Sequence, residues 1–286
     1  MTIPQGEFTV CKPAQPAARR TYADLLHLDT LMSAARQMPE HPDGRFFIMV
    51  HQVYELWFEV VLEELTVARD AMMADRAADA LYSLRRVASI DRLLLAQIET
   101  LTTISPAGFD SLRPHLGTAS GLQSVRFREI EYLSGLRERD FTGYAGRTGA
   151  ERSRLLRRLR EPSVWDGFLA LLERRGEPDP VRLYRSGRPD SDLVEIAESM
   201  LDHDETWAMW RMRHAVVVER MIGRKTGTGG SSGVDYLNSR RDERFFPQLW
   251  HLRSRITQQD GPSAVSAVPD RSPPSCPVTG AVPDRR

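Results

Sequence analysis

FFIMVHQVYELWFEVVLEEL, residues 46–65, decides the fold. Phe47, His51, Tyr54, Phe58, Val61 and Leu65 recur in steps of four and three, the spacing that places side chains on one face of an α-helix. Ile48, Val50, Leu56, Trp57 and Leu62 add apolar groups on the other faces, so a helix over 46 to about 74 is expected to be mostly enclosed. The same period returns further along. Leu84, Val87, Ile90, Leu94, Ile98 and Leu101 make a second stripe, stopped by Ser105-Pro106. A third opens near Asp192, which with Glu195 forms a capping-box pair. It carries Leu193, Ile196, Met200, Trp207, Trp210, His214, Val217 and Met221 and ends at Gly223. Shorter helices are predicted over 22–38, 122–136, 152–160 and 163–174. Period-two alternation of β-branched residues is nearly absent, so the fold class is all-α, a helical bundle.

Composition narrows the function. Lys plus Arg and Asp plus Glu both number 39, so no chain-wide basic footprint invites nucleic acid or an anionic membrane. No apolar run approaches the length of a bilayer span, and the N-terminus lacks a basic segment followed by an apolar one. The two cysteines, Cys11 and Cys276, sit near opposite ends. That excludes a disulfide framework, a CxxC redox pair and a Cys-ligated zinc site, and makes the cytoplasm the expected compartment. Nine of the 18 prolines fall in residues 1–16 and 260–286, which also hold few large apolar side chains. The expected organisation is an N-terminal tail (1–16), one helical domain (17–259) and a disordered C-terminal tail (260–286).

Chemistry is sought among seven histidines, none of them in an HExxH spacing. His51 and His214 each interrupt the most apolar stripe of a long helix. Taken singly, each reads as a satisfied core histidine. Together, with aromatic neighbours, they are one of the ordinary ways for a helical bundle to hold haem iron. CxxCH is absent, so such a haem is not thioether-linked. The segment KTGTGGSSG (225–233) is rich in backbone N–H and hydroxyl donors but lacks the GxxxxGK[ST] order and follows a helix, which excludes a P-loop. A plain linker and a loop closing over a small polar ligand both fit it. Six arginines between Arg147 and Arg160, flanked by Leu155, Leu156 and Leu159, read as a solvated helix face. Arg113 stands beside Pro114, in an expected turn after the second helix. Its guanidinium is well shaped to hold a carboxylate.

Four segments, FFIMVHQVYELWFEVVLEEL (46–65), SGLQSVRFREIEYLSG (120–135), WRMRHAVVVERMIGRKTGTGGSSGVDYL (210–237) and RFFPQLW (244–250), resemble the tryptophan 2,3-dioxygenase family. HQ-x-x-ELW and the string from WR-x-x-H to GTGGSSG are its specific motifs, and the similarity spans about 22–256. The resemblance implies a non-covalent haem b enzyme with O₂ as co-substrate, built as a homotetramer. It makes His214 the axial ligand of the iron, with Trp210 and Gly229 beside the cofactor. His51 becomes the distal histidine that meets the indole N–H. Phe47 and Phe109 become pocket walls, Arg113 the partner of the substrate carboxylate, and Thr228 the hydroxyl at the amino-acid end. Tyr22 becomes a residue that reaches a neighbouring subunit's pocket.

The implied reaction is insertion of both atoms of O₂ at the indole C2–C3 bond of tryptophan or an analogue, giving an N-formylkynurenine. Departures from the family pattern motivate a rival. Leu25 stands where a second tyrosine is usual, HPDGR (41–45) where an acidic pair is usual, and Lys225-Thr226 where a second basic residue is common. The rival is a haem-dependent monooxygenase turning a substituted tryptophan, such as a β-methyl one, into a 2-oxindole. A more distant reading is a non-catalytic haem or tryptophan sensor.

Overall fold

Three long helices carry the frame: α3 (Gly44–Met73), α4 (Ala77–Gln97) and α10 (Asp192–Ile222). The structure is a computed structural model that describes residues 20–36, 41–138, 141–143, 147–177, 179–185 and 191–256, so both predicted tails lie outside the described residues. In chain order the remaining helices are α1 (Tyr22–Leu26), α2 (Leu28–Arg36), α5 (Pro106–Leu116), α6 (Val125–Ser134), α7 (Gly149–Arg160) and α8 (Val164–Arg174). α9 (Pro180–Arg185), α11 (Val234–Ser239) and α12 (Pro247–Ile256) complete the set, with 3₁₀ turns at Ile98–Thr103 and Gly121–Gln123. No strand occurs among the described residues, and no helix among them is long and apolar enough to cross a membrane.

α4 packs against both α3 and α10, while α6 and α8 lie on α3. The predicted stripes are the seams. Val61, Leu65 and Met72 from α3, Leu84 and Val87 from α4, and Ile196 and Met200 from α10 are all buried, each side chain contributing ~1.5–3 kcal/mol. Buried Ala68, Ala80 and Ala197 keep the helices close. Buried polar groups then set the rotation of α10. The Asp91 carboxylate accepts from Trp207 Nε1 at 2.9 Å and meets His203 Nδ1 at 2.6 Å, and Ser134 Oγ lies 3.1 Å from His203 Nε2. Next to His203, Asp204 accepts from the Phe245 and Phe246 amides at 2.9 and 3.0 Å and from Trp250 Nε1 at 3.0 Å, pinning the start of α12 to α10.

Several expectations are corrected. The α3 helix is less enclosed than its composition implies: Phe46, Met49, Val53 and Leu56 form a three-four-three stripe open to solvent, Leu56 at 55% exposure. The expected helix over 22–38 breaks at His27, which takes a left-handed conformation (φ 48°), and a Thr21–Asp24 capping box starts α1. α4 ends at Gln97, and Ser105-Pro106 begins a helix: Ser105 Oγ accepts from Gly108 N at 3.0 Å and Pro106 occupies the first turn of α5. Arg113 therefore lies in the last turn of a helix, not in a turn. At α10 the cap position is Ser191, with no side-chain capping bond, and Asp192 is the first helical residue.

The arginine-rich segment is only partly a solvated face: Arg152, Arg157 and Arg160 are exposed, whereas Arg147, Arg154 and Arg158 are half-buried and paired. Arg154 Nε lies 2.5 Å from the fully buried Glu129, Arg158 pairs with Glu129 and Glu161, and Arg147 donates to the carbonyls of Phe141, Gln123 and Leu122. Glu129 on α6 and the carbonyls of Leu122 and Gln123 lie more than twenty residues back along the chain, so composition alone hid them.

Candidate active site

α3, α5, α6, α10 and the 223–233 loop enclose a cavity of about 270 Å³. Phe47, His51, Phe109, Arg113, Trp210, His214 and Thr228 all line it, which brings together seven of the nine residues singled out from the sequence. Gly229 is not on its wall, although its neighbours Gly227 and Thr228 are. Tyr22 lies away from the cavity of its own chain and is 75% exposed.

Helical spacing explains the wall from α3. Residues 47, 51 and 54 share a face, and the Phe47 ring sits 4.2 Å from that of His51 and 5.7 Å from that of Phe109. The 41–45 segment docks this end of α3 on α5: His41 Nε2 is 2.7 Å from Ser111 Oγ, and the Asp43 carboxylate occupies the space a side chain at Gly108 would need. His51 Nδ1 lies 2.7 Å from the Phe47 carbonyl oxygen. A carbonyl can only accept, so Nδ1 carries the proton and Nε2 keeps its lone pair. Burial lowers the His51 pKa, against the opposing hydrogen bond to Phe47 and the charge of Glu55.

His214 is held down more strongly. Burial, helped by His51, lowers its pKa from 6.5 to about 4, so its imidazole is neutral at neutral pH. Its ring lies 4.8 Å from Trp210, and it has no hydrogen-bond partner among the described residues. A neutral, unpartnered imidazole opening on a wall of Phe47, Phe58, Phe109, Phe127 and Trp210 is the donor set that suits a haem iron: one nitrogen ligand and an apolar bed for a flat macrocycle.

The glycine-rich loop is no plain linker. It folds on itself through Gly227 N to Ser231 O (3.0 Å) and Gly230 N to Gly227 O (3.1 Å). Lys225 Nζ pairs with Asp110 at 2.7 Å, Arg113 Nη2 donates to the Thr226 carbonyl, and Thr228 Oγ1 donates to the Ala119 carbonyl at 2.5 Å. Arg113 spends one of its five N–H donors on the loop, and the residue lines the cavity.

Sequence reading missed Tyr54 as a site residue, and it missed the group Arg128, Glu131, Arg211 and Arg240, all buried and all on the cavity wall. Arg128 Nη1 donates to Glu131 Oε2 at 2.6 Å and Arg240 Nη2 to Oε1 at 2.9 Å, with Arg211 at 3.7 Å. Burial opposes charge on Glu131, but the three guanidinia outweigh it and hold its carboxyl below the usual range.

A family model described as tryptophan 2,3-dioxygenase matches residues 11–180 and 179–256. The chain belongs to the tryptophan 2,3-dioxygenase family. It is 42% identical over 258 residues to the tryptophan 2,3-dioxygenase of a Nocardioides species, covering 85% of this chain and 97% of that one. The Myxococcus xanthus enzyme of the same name is 36% identical over 265 residues (84% and 91% covered), and that of Caulobacter vibrioides 34% over 258 (82% and 98%). As a tryptophan 2,3-dioxygenase family member the chain keeps HQ-x-x-ELW on α3 and the WR-x-x-H to GTGGSSG string on α10 and the following loop, the two elements that face each other across the cavity.

Proposed function

We propose that this protein is a haem-dependent tryptophan 2,3-dioxygenase that opens the indole C2–C3 bond of L-tryptophan or a close analogue with both atoms of O₂, giving an N-formylkynurenine. One observation carries the reading: two neutral histidines from different helices share an apolar cavity whose rim holds an arginine and a threonine from α5 and the loop. His214 would hold the haem iron and Trp210 would pack beside it. A ferrous haem bound there supplies the activation of O₂.

The remaining roles follow from the side chains. Phe47 and Phe109, in contact with each other, form one aromatic wall for a flat neutral ring. His51 Nε2 accepts from the indole N–H and so orients it. An indole N–H is far too weak an acid for neutral imidazole to remove outright, so His51 positions and does not deprotonate. Arg113 pairs with the substrate carboxylate and Thr228 meets the ammonium end, which fixes C2 and C3 relative to the His214 side of the cavity. The apolar wall excludes water from that space.

The same reading includes assembly in the cytoplasm as a homotetramer. Phe46, Met49, Val53 and Leu56 on α3 and Met209, Met212 and Val216 on α10 form two exposed apolar stripes, and Tyr22 stands free to enter a neighbour's pocket. The relatives' names favour dioxygenation; no observation here favours insertion of one oxygen or a sensing role.

The test is turnover under labelled O₂. Purified protein is loaded with haemin, reduced and given tryptophan, and the product is weighed. Two labelled oxygens in an opened ring are expected. One labelled oxygen in a closed ring would make the protein a monooxygenase, and haem uptake without turnover would make it a sensor.

A further inference from the structure

Tyr54 takes no part in the roles above, yet it is tethered on both sides of the cavity wall. It stands one turn beyond His51 on α3, is 6% exposed and lines the wall. Its hydroxyl donates to the Leu94 carbonyl at 2.7 Å and accepts from Trp210 Nε1 at 3.3 Å. Leu94 lies in the last turn of α4, which runs on into the Ile98–Thr103 3₁₀ turn, so the phenol ties α3 to that helix. The Tyr54 and Trp210 rings meet edge to face with centroids 6.1 Å apart. Burial pushes the Tyr54 pKa up to about 12, so the donor persists at any working pH.

A continuous set of contacts therefore runs from α4 through Tyr54 on α3 to Trp210 and His214 on α10. The His214 ring lies 4.8 Å from that of Trp210, tilted by 35°, so a shift in the plane of the indole is felt by the imidazole. Metal-bound imidazoles usually take their orientation from a hydrogen bond on the second nitrogen. Here a neighbouring indole, itself pinned, does that work by packing.

We propose that Tyr54 is a positioning residue: its hydrogen bond fixes the plane of Trp210, and through it the His214 imidazole, while tying the His51 helix to the His214 helix. The proposal rests on His214 being the iron ligand.

The haem-loaded protein is compared with Tyr54→Phe, Trp210→Phe and the double variant. The measurements are the iron–imidazole stretching band of the ferrous state, the rate of haemin loss to an acceptor protein, and kcat and KM separately. Tyr54→Phe preserves ring volume. It is expected to keep haem stoichiometry and KM, to shift or broaden the band, and to speed haemin loss by roughly 3- to 10-fold. In the Trp210→Phe background the same change should add nothing, because its partner is gone. An unaltered band and haemin loss in Tyr54→Phe would overturn the proposal, as would an equal effect with or without Trp210. Should Tyr54→Phe fail to fold, Trp210→Phe alone leaves the Leu94 bond in place and must show the same band shift. Wild-type protein that takes up no haemin, or a band that survives His214→Ala, would instead defeat the reading of His214.

Discussion

At the scale of the residue, two imidazoles share one cavity yet are prepared differently. His51 donates Nδ1–H to its own helix backbone and presents Nε2, whereas His214 is bonded to nothing among the described residues and lies against an indole. The first arrangement suits accepting a hydrogen bond from a substrate, and the second leaves a lone pair for a metal. His214→Ala is accordingly expected to abolish stoichiometric haemin binding in a visible titration. His51→Ala should bind haemin normally and lose tryptophan affinity or turnover by roughly tenfold or more. Equal haemin loss in both would mean that both imidazoles reach the iron. The stripe pattern exposed both histidines in the sequence, because an imidazole on an apolar helical face stands out against leucine and phenylalanine. Tyr54 could not be seen that way: a tyrosine in such a stripe looks like core, and its partner lies 156 residues away.

At the scale of the element, the 223–233 loop matters through its backbone. Gly233 has φ 63° and packs against the Lys225 carbonyl, so any side chain there meets that oxygen in a conformation that L-residues rarely adopt. Gly233→Ala is expected to displace the loop, raise KM for tryptophan several-fold and hasten proteolytic cleavage between 224 and 233, with haemin binding unchanged. Unaltered KM would remove the loop from the substrate site. The glycine and hydroxyl composition left linker and ligand loop equally open in the sequence. The ion pair to Asp110 and the Arg113 bond to Thr226 separate them, and both come from α5, a helix the sequence reading took for a turn.

At the scale of the whole molecule, charge is buried where three helices and the cavity meet. Glu131 pairs with Arg128, Arg211 and Arg240 from α6, α10 and the residue after α11. Its folded pKa is depressed, so its stabilisation is complete above the ordinary carboxylate range and drains away as pH falls through the folded value. Glu131→Gln should cost ~3–5 kcal/mol at neutral pH by chemical denaturation and flatten the acid limb of the stability profile. A variant as stable as the parent would show that the arginines find other partners. The two exposed apolar stripes make the other prediction at this scale. Sedimentation should report a tetramer, and Val53→Glu or Met212→Glu should yield smaller species of unchanged helix content. A wild-type monomer would leave those stripes uncovered.

The chain's own pattern determined the helical class, the three long helices and the two histidines, since helical periodicity is a local property that survives without knowledge of neighbours. The motif resemblance added Arg113, Thr228, Phe47 and Phe109. α5 was missed although its Ser105 cap and Pro106 are local signals, whereas tertiary structure alone decided that Arg154 and Arg147 are paired inward, that the loop is anchored, and that Tyr54 links the two histidine helices. Each of those depends on a contact between residues distant in sequence. A guanidinium or a phenol looks the same in the chain whether it ends in water or on a partner that only folding brings within reach.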